Sequence, residues 1–179
     1  MRVFIILIVT AFTTGALAQC PKNPAISEEL DEAYRSLKFA KFPRDAQVAT
    51  DVLWSLWTRA PDNRAQRLLN RGMMNLRLGD LAAAEGFLSV LIKYCPDYAE
   101  GYNQRAFARY LAGNFEGALP DLARALSIQP RHLGALSGKG LTHLALGQPE
   151  LAEIEFRKEM ALNPFTADRD LIPNLGTDL

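Results

Sequence analysis

Two cysteines, Cys20 and Cys95, and two histidines, His132 and His143, are the residues of this 179-residue sequence whose types suit covalent, redox or proton-transfer chemistry. Their spacing offers little to a catalyst. Two distant cysteines and two separated histidines lack the ligand spacing of a zinc site. His132 follows Pro130 in a turn and His143 falls on a helix, and neither has a carboxylate or nucleophile partner evident in the sequence. Both are read as surface or packing residues. No glycine-rich phosphate-binding loop is present, since the glycines fall where helices stop or touch. The sequence therefore points to no catalytic residue, no metal and no cofactor.

The cysteines are left with two states, a disulfide or two free thiols. Met1-Arg2-Val3 supplies one charge, Phe4 to Phe12 is an apolar run broken by Thr10, and Ala16-Leu17-Ala18 closes the segment. A charged start, a short apolar core and an A-x-A ending make a secretory signal, 1–18, with a linker at 19–26. Export implies a periplasmic or secreted protein, and an oxidising compartment permits a Cys20–Cys95 bond. It would close about 75 residues, for which loop-closure entropy allows up to ~4–5 kcal/mol. Lipid anchoring at Cys20 is the lesser alternative, because Gln19 is not the small residue that a lipoprotein signal has there.

Binding chemistry is also bounded. Twenty basic residues balance twenty acidic ones. Losing Arg2 with the signal leaves the mature chain near −1, so the overall charge gives no footprint for nucleic acid or for an anionic membrane surface. No second apolar stretch spans a bilayer, which needs about 20 residues. The mature protein is expected to be soluble, without stable membrane insertion. Trp54 and Trp57 are three apart beside Leu53 and Leu56. Such a pair can anchor a partner, but core or cap packing is preferred.

What positions these residues is a period of 34. Pro96, Pro130 and Pro164 are in phase, as are Gly79, Gly113 and Gly147, and Ala84, Ala118 and Ala152. Gly72, Ala106 and Gly140 are small in every copy, while Leu88, Leu122 and Phe156 are large. Each copy reads as two helices. Leu68, Leu69, Met73 and Leu76 have helical spacing over Ala65 to Leu78. Gly79 stops that helix and Asp80 caps the next. Leu81, Ala84, Leu88, Leu91 and Ile92 form the second apolar run, and Pro96 ends it. Pro149 falls in the first turn of its helix, where a missing N–H does no harm. Small residues let the paired helices approach, and one pair cannot bury its own apolar face, so the pairs must stack.

A 34-residue helix-turn-helix with this Gly, Ala and Pro pattern, most complete from Ala99 to Pro130, resembles the tetratricopeptide repeat (TPR) family. The resemblance implies an all-α, right-handed superhelix of antiparallel helix pairs, about four hairpins with the first degenerate. Three repeats cover 65–98, 99–132 and 133–166. A degenerate hairpin or cap covers 27–64, with helices expected at Glu28 to Lys41 and Arg44 to Arg59, and a short tail covers 167–179. The tail could cover the last apolar face or remain loose. Arg71, Arg105 and Lys139 take a place often held by leucine, where their stems can cover apolar surface. Glu159 suits a terminal, solvent-facing helix. Pro120, about six residues into its helix, predicts a late start or a local kink.

In such superhelices the first helices line a concave face. Leu69, Asn103 and Ser137 form one ladder, Met73, Phe107 and Leu141 the next, and Arg77, Leu111 and Ala145 a third. With Tyr110, these predict a groove for a protein or peptide partner, where Met gives adaptable contact and Asn103 could bond a peptide backbone. Some of them could instead be covered by the chain's own termini. Clamps for chaperone C-termini in the family need groove Lys, Asn and Arg. Here Leu69, Met73, Gly134 and Gly138 fall at those places, which argues against clamp-type recognition. The function expected is an exported scaffold, in envelope assembly or division. Its alternatives are a self-associating structural repeat protein, with homo-oligomers through an uncapped end, and a small-ligand receptor or enzyme accessory subunit.

Overall fold

A computed structural model describes residues 20–21 and 26–172. The signal segment 1–18, most of the linker and the last residues of the tail lie outside the described residues. Eight helices follow one another: α1 (Ser27–Lys38), α2 (Pro43–Trp57), α3 (Asn63–Leu78), α4 (Leu81–Tyr94), α5 (Ala99–Leu111), α6 (Phe115–Ile128), α7 (Leu133–Ala145) and α8 (Pro149–Leu162). A short 3-10 turn, Ala167–Leu171, closes the described chain. No strand occurs among the described residues.

The punctuation expected of the repeat is in place. Gly79, Gly113 and Gly147 turn with positive φ of 77°, 75° and 69°, a conformation a side chain would strain. Asp80 and Asn114 then accept the backbone N–H of Ala83 and Gly117 at the start of α4 and α6. Asp62 caps α3 in the same way through Ala65. The late start foreseen at Pro120 does not occur. α6 begins at Phe115, in phase with α4 and α8, and the carbonyl freed by the proline belongs to Glu116, which faces water.

Three hairpins, α3–α4, α5–α6 and α7–α8, stack in series. Inside each, a small residue on the first helix meets a large one on the second. A Cβ added at Gly72 would lie 2.6 Å from Leu88, and one at Gly140 would lie 2.3 Å from the Phe156 ring. One position earlier, Arg105 and Lys139 do more than cover apolar surface. Arg105 makes two bonds to Asp121 at 2.7 and 2.8 Å, and Lys139 reaches Glu155 at 2.9 Å. Arg71 lies over Phe87 at the equivalent place. Arg109 links neighbouring hairpins, touching Asp121 on α6 and Glu85 on α4. Asp121 and Glu155 are buried, so these pairs replace an apolar contact with a charged one whose partners are both supplied.

Cys20 and Cys95 are bonded, with Cα atoms 5.1 Å apart and 75 residues between them in sequence. The bond pins the segment before α1 to the end of α4. No helix among the described residues is long and apolar enough to cross a membrane.

The segment after α8 covers the far end of the stack. Ile172 is buried against Ala152 and Phe156, and the Thr166 hydroxyl donates to Glu159 at 2.8 Å. Glu159, expected to face solvent, is therefore buried. Burial pushes its carboxyl up to about 8, with like charge on Asp168 adding to the rise while the Thr166 bond opposes it. The folded protein thus holds this proton over pH 4.5 to 8 while the unfolded chain releases it. Stability from this site is present at low pH and lost as pH rises through that window. Glu159→Gln should flatten the dependence and be the more stable protein at pH 8.5 by ~1–2 kcal/mol, as thermal melting at pH 5 and 8.5 will show.

Candidate binding groove

The inner wall of the stack is built from α3, α5 and α7, the first helices of successive hairpins. The hairpin α1–α2 does not continue the stack beyond α3. It folds back across α5 and α7 and reaches α8. Its own core, Leu37, Leu53, Leu56 and Trp57, also takes in Leu133 of α7 and Leu162 of α8. α1 ends at Lys38 and α2 at Trp57, each short of the sequence expectation.

A buried polar junction fastens this hairpin. Glu100 accepts from the amides of Asn103 and Gln104 and meets Nε2 of His132 at 2.8 Å. Nδ1 of His132 accepts the Ala135 N–H that opens α7. With Nδ1 an acceptor, Nε2 carries the proton and donates to Glu100. The other face of the story is Trp57, whose ring stacks on His132 with centroids 4.1 Å apart. The Tyr98 hydroxyl donates to the Trp57 carbonyl at 2.7 Å, and the Tyr34 hydroxyl donates to the Arg131 carbonyl. Burial holds both phenols well above their ordinary range, so both stay protonated donors. Of the two roles the sequence allows His132, surface or packing, the structure shows packing, since the ring is fully buried, and it adds a carboxylate partner that the sequence does not reveal. The signal was faint, because Glu100 lies 32 residues upstream.

Beside the junction, α2, α5 and α7 enclose a largely apolar cavity of about 240 Å³. Five of the ten expected groove residues line it: Asn103, Phe107, Tyr110, Ser137 and Leu141. Phe107 is 49% exposed and offers its ring to the opening. Gly134 and Gly138 line the opposite wall. At these places a clamp would carry side chains, and their absence makes the hollow. A Cβ at Gly138 would already press on Leu122 at 3.1 Å.

Leu69, Met73, Arg77, Leu111 and Ala145 do not line it, and the three on α3 lie elsewhere. Leu69 is buried in a core with Ala60 and Tyr98, because the connection leaving α2 closes over it. Met73 and Arg77 lie on a separate shallow surface of α3 with Asn70 and Met74. Two details also change inside the cavity. One N–H of the Asn103 amide is engaged by Glu100 at 3.2 Å, which fixes how the side chain is presented to the cavity. The Ser137 hydroxyl is committed to Asp168 beneath the 3-10 turn. Of the tryptophans, Trp57 is core at 3% exposure, but Trp54 is 42% exposed and forms a wall of the cavity. Core or cap packing is the expectation for both. Their three-residue spacing turns one inward and leaves its neighbour at the rim. No group of three or more His, Cys, Asp or Glu side chains among the described residues is placed to hold a metal ion.

An all-helical stack of paired helices, with an apolar hollow on its inner wall, defines a tetratricopeptide-type repeat superhelix. Relatives and solved structures agree. A TPR repeat-containing protein of Rhizobium etli is 28% identical over 79% of this chain and 69% of its own length. Tetratricopeptide repeat protein 36 of Bos taurus is 31% identical over 65% of this chain, which spans 64% of that protein. No protein-family model matches the chain. Among solved structures, the first TPR of Spaghetti (RPAP3), bound to an HSP90 peptide, superposes with a TM-score of 0.59 at 20% identity, over 60% of this chain and 85% of that one. The TPR2B domain of yeast Sti1, in complex with pHsp70, gives 0.57 at 22%, over 62% and 91%. MamA gives 0.52 at 19%, over 86% and 83%. These likenesses establish the fold, and the names of the relatives support the tetratricopeptide repeat family.

Proposed function

We propose that this protein is an exported, non-catalytic scaffold whose groove seats an apolar side chain of a protein or peptide partner, in assembly or division of the cell envelope. The observation that carries the reading is the convergence of Trp54, Phe107, Tyr110 and Leu141 on one cavity. Its volume is below the roughly 300–1,000 Å³ of ordinary small-molecule sites, which favours a single anchoring side chain over a whole ligand. Aromatic anchors in partly enclosed pockets carry much of the affinity of protein interfaces. The solved neighbours, one bound to an HSP90 peptide and one in complex with pHsp70, support peptide or protein capture as the class of activity. The Cys20–Cys95 bond and the signal-like start support export.

A photo-crosslinking residue at Phe107, compared with one at Val90, tests this. Both positions are 49% exposed, but Val90 lies on a second helix away from the cavity. In intact cells fractionated after illumination, position 107 should trap a defined partner in the periplasmic fraction and position 90 should not. Trp54→Ala with Phe107→Ala should weaken that partner's binding by ~1–3 kcal/mol without moving the melting temperature. Equal trapping from both positions would sink the proposal.

A further inference from the structure

The turn between α1 and α2 carries features that neither the fold nor the groove uses. Its four residues run Phe39-Ala40-Lys41-Phe42, between α1 ending at Lys38 and α2 starting at Pro43. Phe39 is 73% exposed and Phe42 is 66% exposed, side chains that a solitary fold would gain by burying. Ala40 between them packs against the hairpin's core, and Phe42 has the extended backbone that leads into Pro43. The loop is therefore held in shape with both rings outward. Rings so exposed belong to a protruding tip and not to a depression.

Cations flank the rings. Lys38, Lys41 and Arg44 are all exposed and take part in no ion pair among the described residues. One acidic residue, Asp45, lies within this stretch. The near-neutral charge of the whole chain conceals this local excess, because the acidic side chains of α1, Glu28, Glu29, Asp31 and Glu32, gather toward its other end.

We infer that this tip docks on an anionic lipid bilayer, with Phe39 and Phe42 entering the headgroup layer and Lys38, Lys41 and Arg44 meeting lipid phosphates. Apolar rings beside unpaired cations are the chemistry of interfacial membrane binding. Each cation near such a surface contributes about a fivefold gain in affinity. A flat, charged interface also fits a convex tip, whereas a folded protein would need a pocket complementary to two projecting rings. The inference is independent of the groove, so a scaffold seated this way would present its cavity to partners beside the membrane.

Vesicle co-sedimentation of the full mature chain tests it. Vesicles of roughly one-third phosphatidylglycerol in phosphatidylcholine should retain the protein, more weakly as salt is raised, and pure phosphatidylcholine should not. Phe39→Ser with Phe42→Ser should reduce binding at least ~tenfold, and Lys38→Gln, Lys41→Gln and Arg44→Gln should each reduce it about fivefold. All five positions are exposed, so melting temperatures should be unchanged, which separates loss of docking from loss of fold. Absence of binding to the anionic vesicles, or equal binding by the Phe variant, overturns the inference. So does inert behaviour toward vesicles combined with tip-dependent retention by an acidic protein.

Discussion

His132→Ala is expected to lower stability by ~3–5 kcal/mol, the cost of stripping one partner from a buried pair. Glu100 is almost wholly buried. The imidazole is one of three donors to its carboxylate, beside Asn103 and Gln104. The same ring accepts the Ala135 N–H that caps α7 and stacks on Trp57. Alanine removes all three interactions and leaves a carboxylate with unmet demand in a dry site. Because Trp57 lies on α2, the loss should fall on the docking of α1–α2 as well as on the stack. Urea unfolding followed by tryptophan fluorescence will measure the first effect, and faster proteolysis near residues 58–62 will report the second. An unchanged midpoint would mean that the junction does not hold the hairpin. His132→Asn should recover the α7 cap but not the Glu100 bond, and so fall between the two.

Gly140→Ala is the second large effect, a loss of ~2–3 kcal/mol from overpacking. The new Cβ would stand 2.3, 2.6 and 2.8 Å from three atoms of the Phe156 ring. That ring is buried beneath Ala152 and Ile172 and has little room to retreat. The repeat itself supplies the rescue. The preceding hairpin carries Ala106 opposite Leu122 in the same columns. Gly140→Ala with Phe156→Leu recreates that pairing and should recover most of the loss. Gly86→Ala is the control, since a Cβ there meets nothing within 4 Å and the helix gains roughly 0.5–1 kcal/mol. Thermal melting of the four proteins decides. A Gly140→Ala variant as stable as the parent would show that the helices are not in the close contact the geometry requires.

Much of the body could be read without coordinates because its determinants are local. A glycine stop, an Asn or Asp cap and an apolar face at helical spacing each act within a few residues. Repetition at 34 residues then multiplies the signal, so the small and large columns stand out, although only the packed helices show that Gly72 meets Leu88 and Gly140 meets Phe156 inside a hairpin. The cavity was partly visible for the same reason. Asn103, Phe107, Ser137 and Leu141 share helical registers on α5 and α7, so their convergence follows once the hairpins stack. Leu69 failed because the registers say nothing about what lies over it, and Met73 and Arg77 because the cavity forms against α5 and α7, away from the surface of α3 they share.

From the chain alone one could derive the helices, their pairing and their order in the stack, since these depend on patterns within single repeats. The course of α1–α2 depends on contacts that no period links: Trp57 with His132, Tyr34 with Arg131, and Leu53 and Leu133 in one core. Those partners are separated by roughly 75 to 100 residues, and only the folded chain brings them together. Packing of that hairpin also decided that Leu69 is core, that Trp54 is a wall of the cavity, and that Phe39 and Phe42 are left in water.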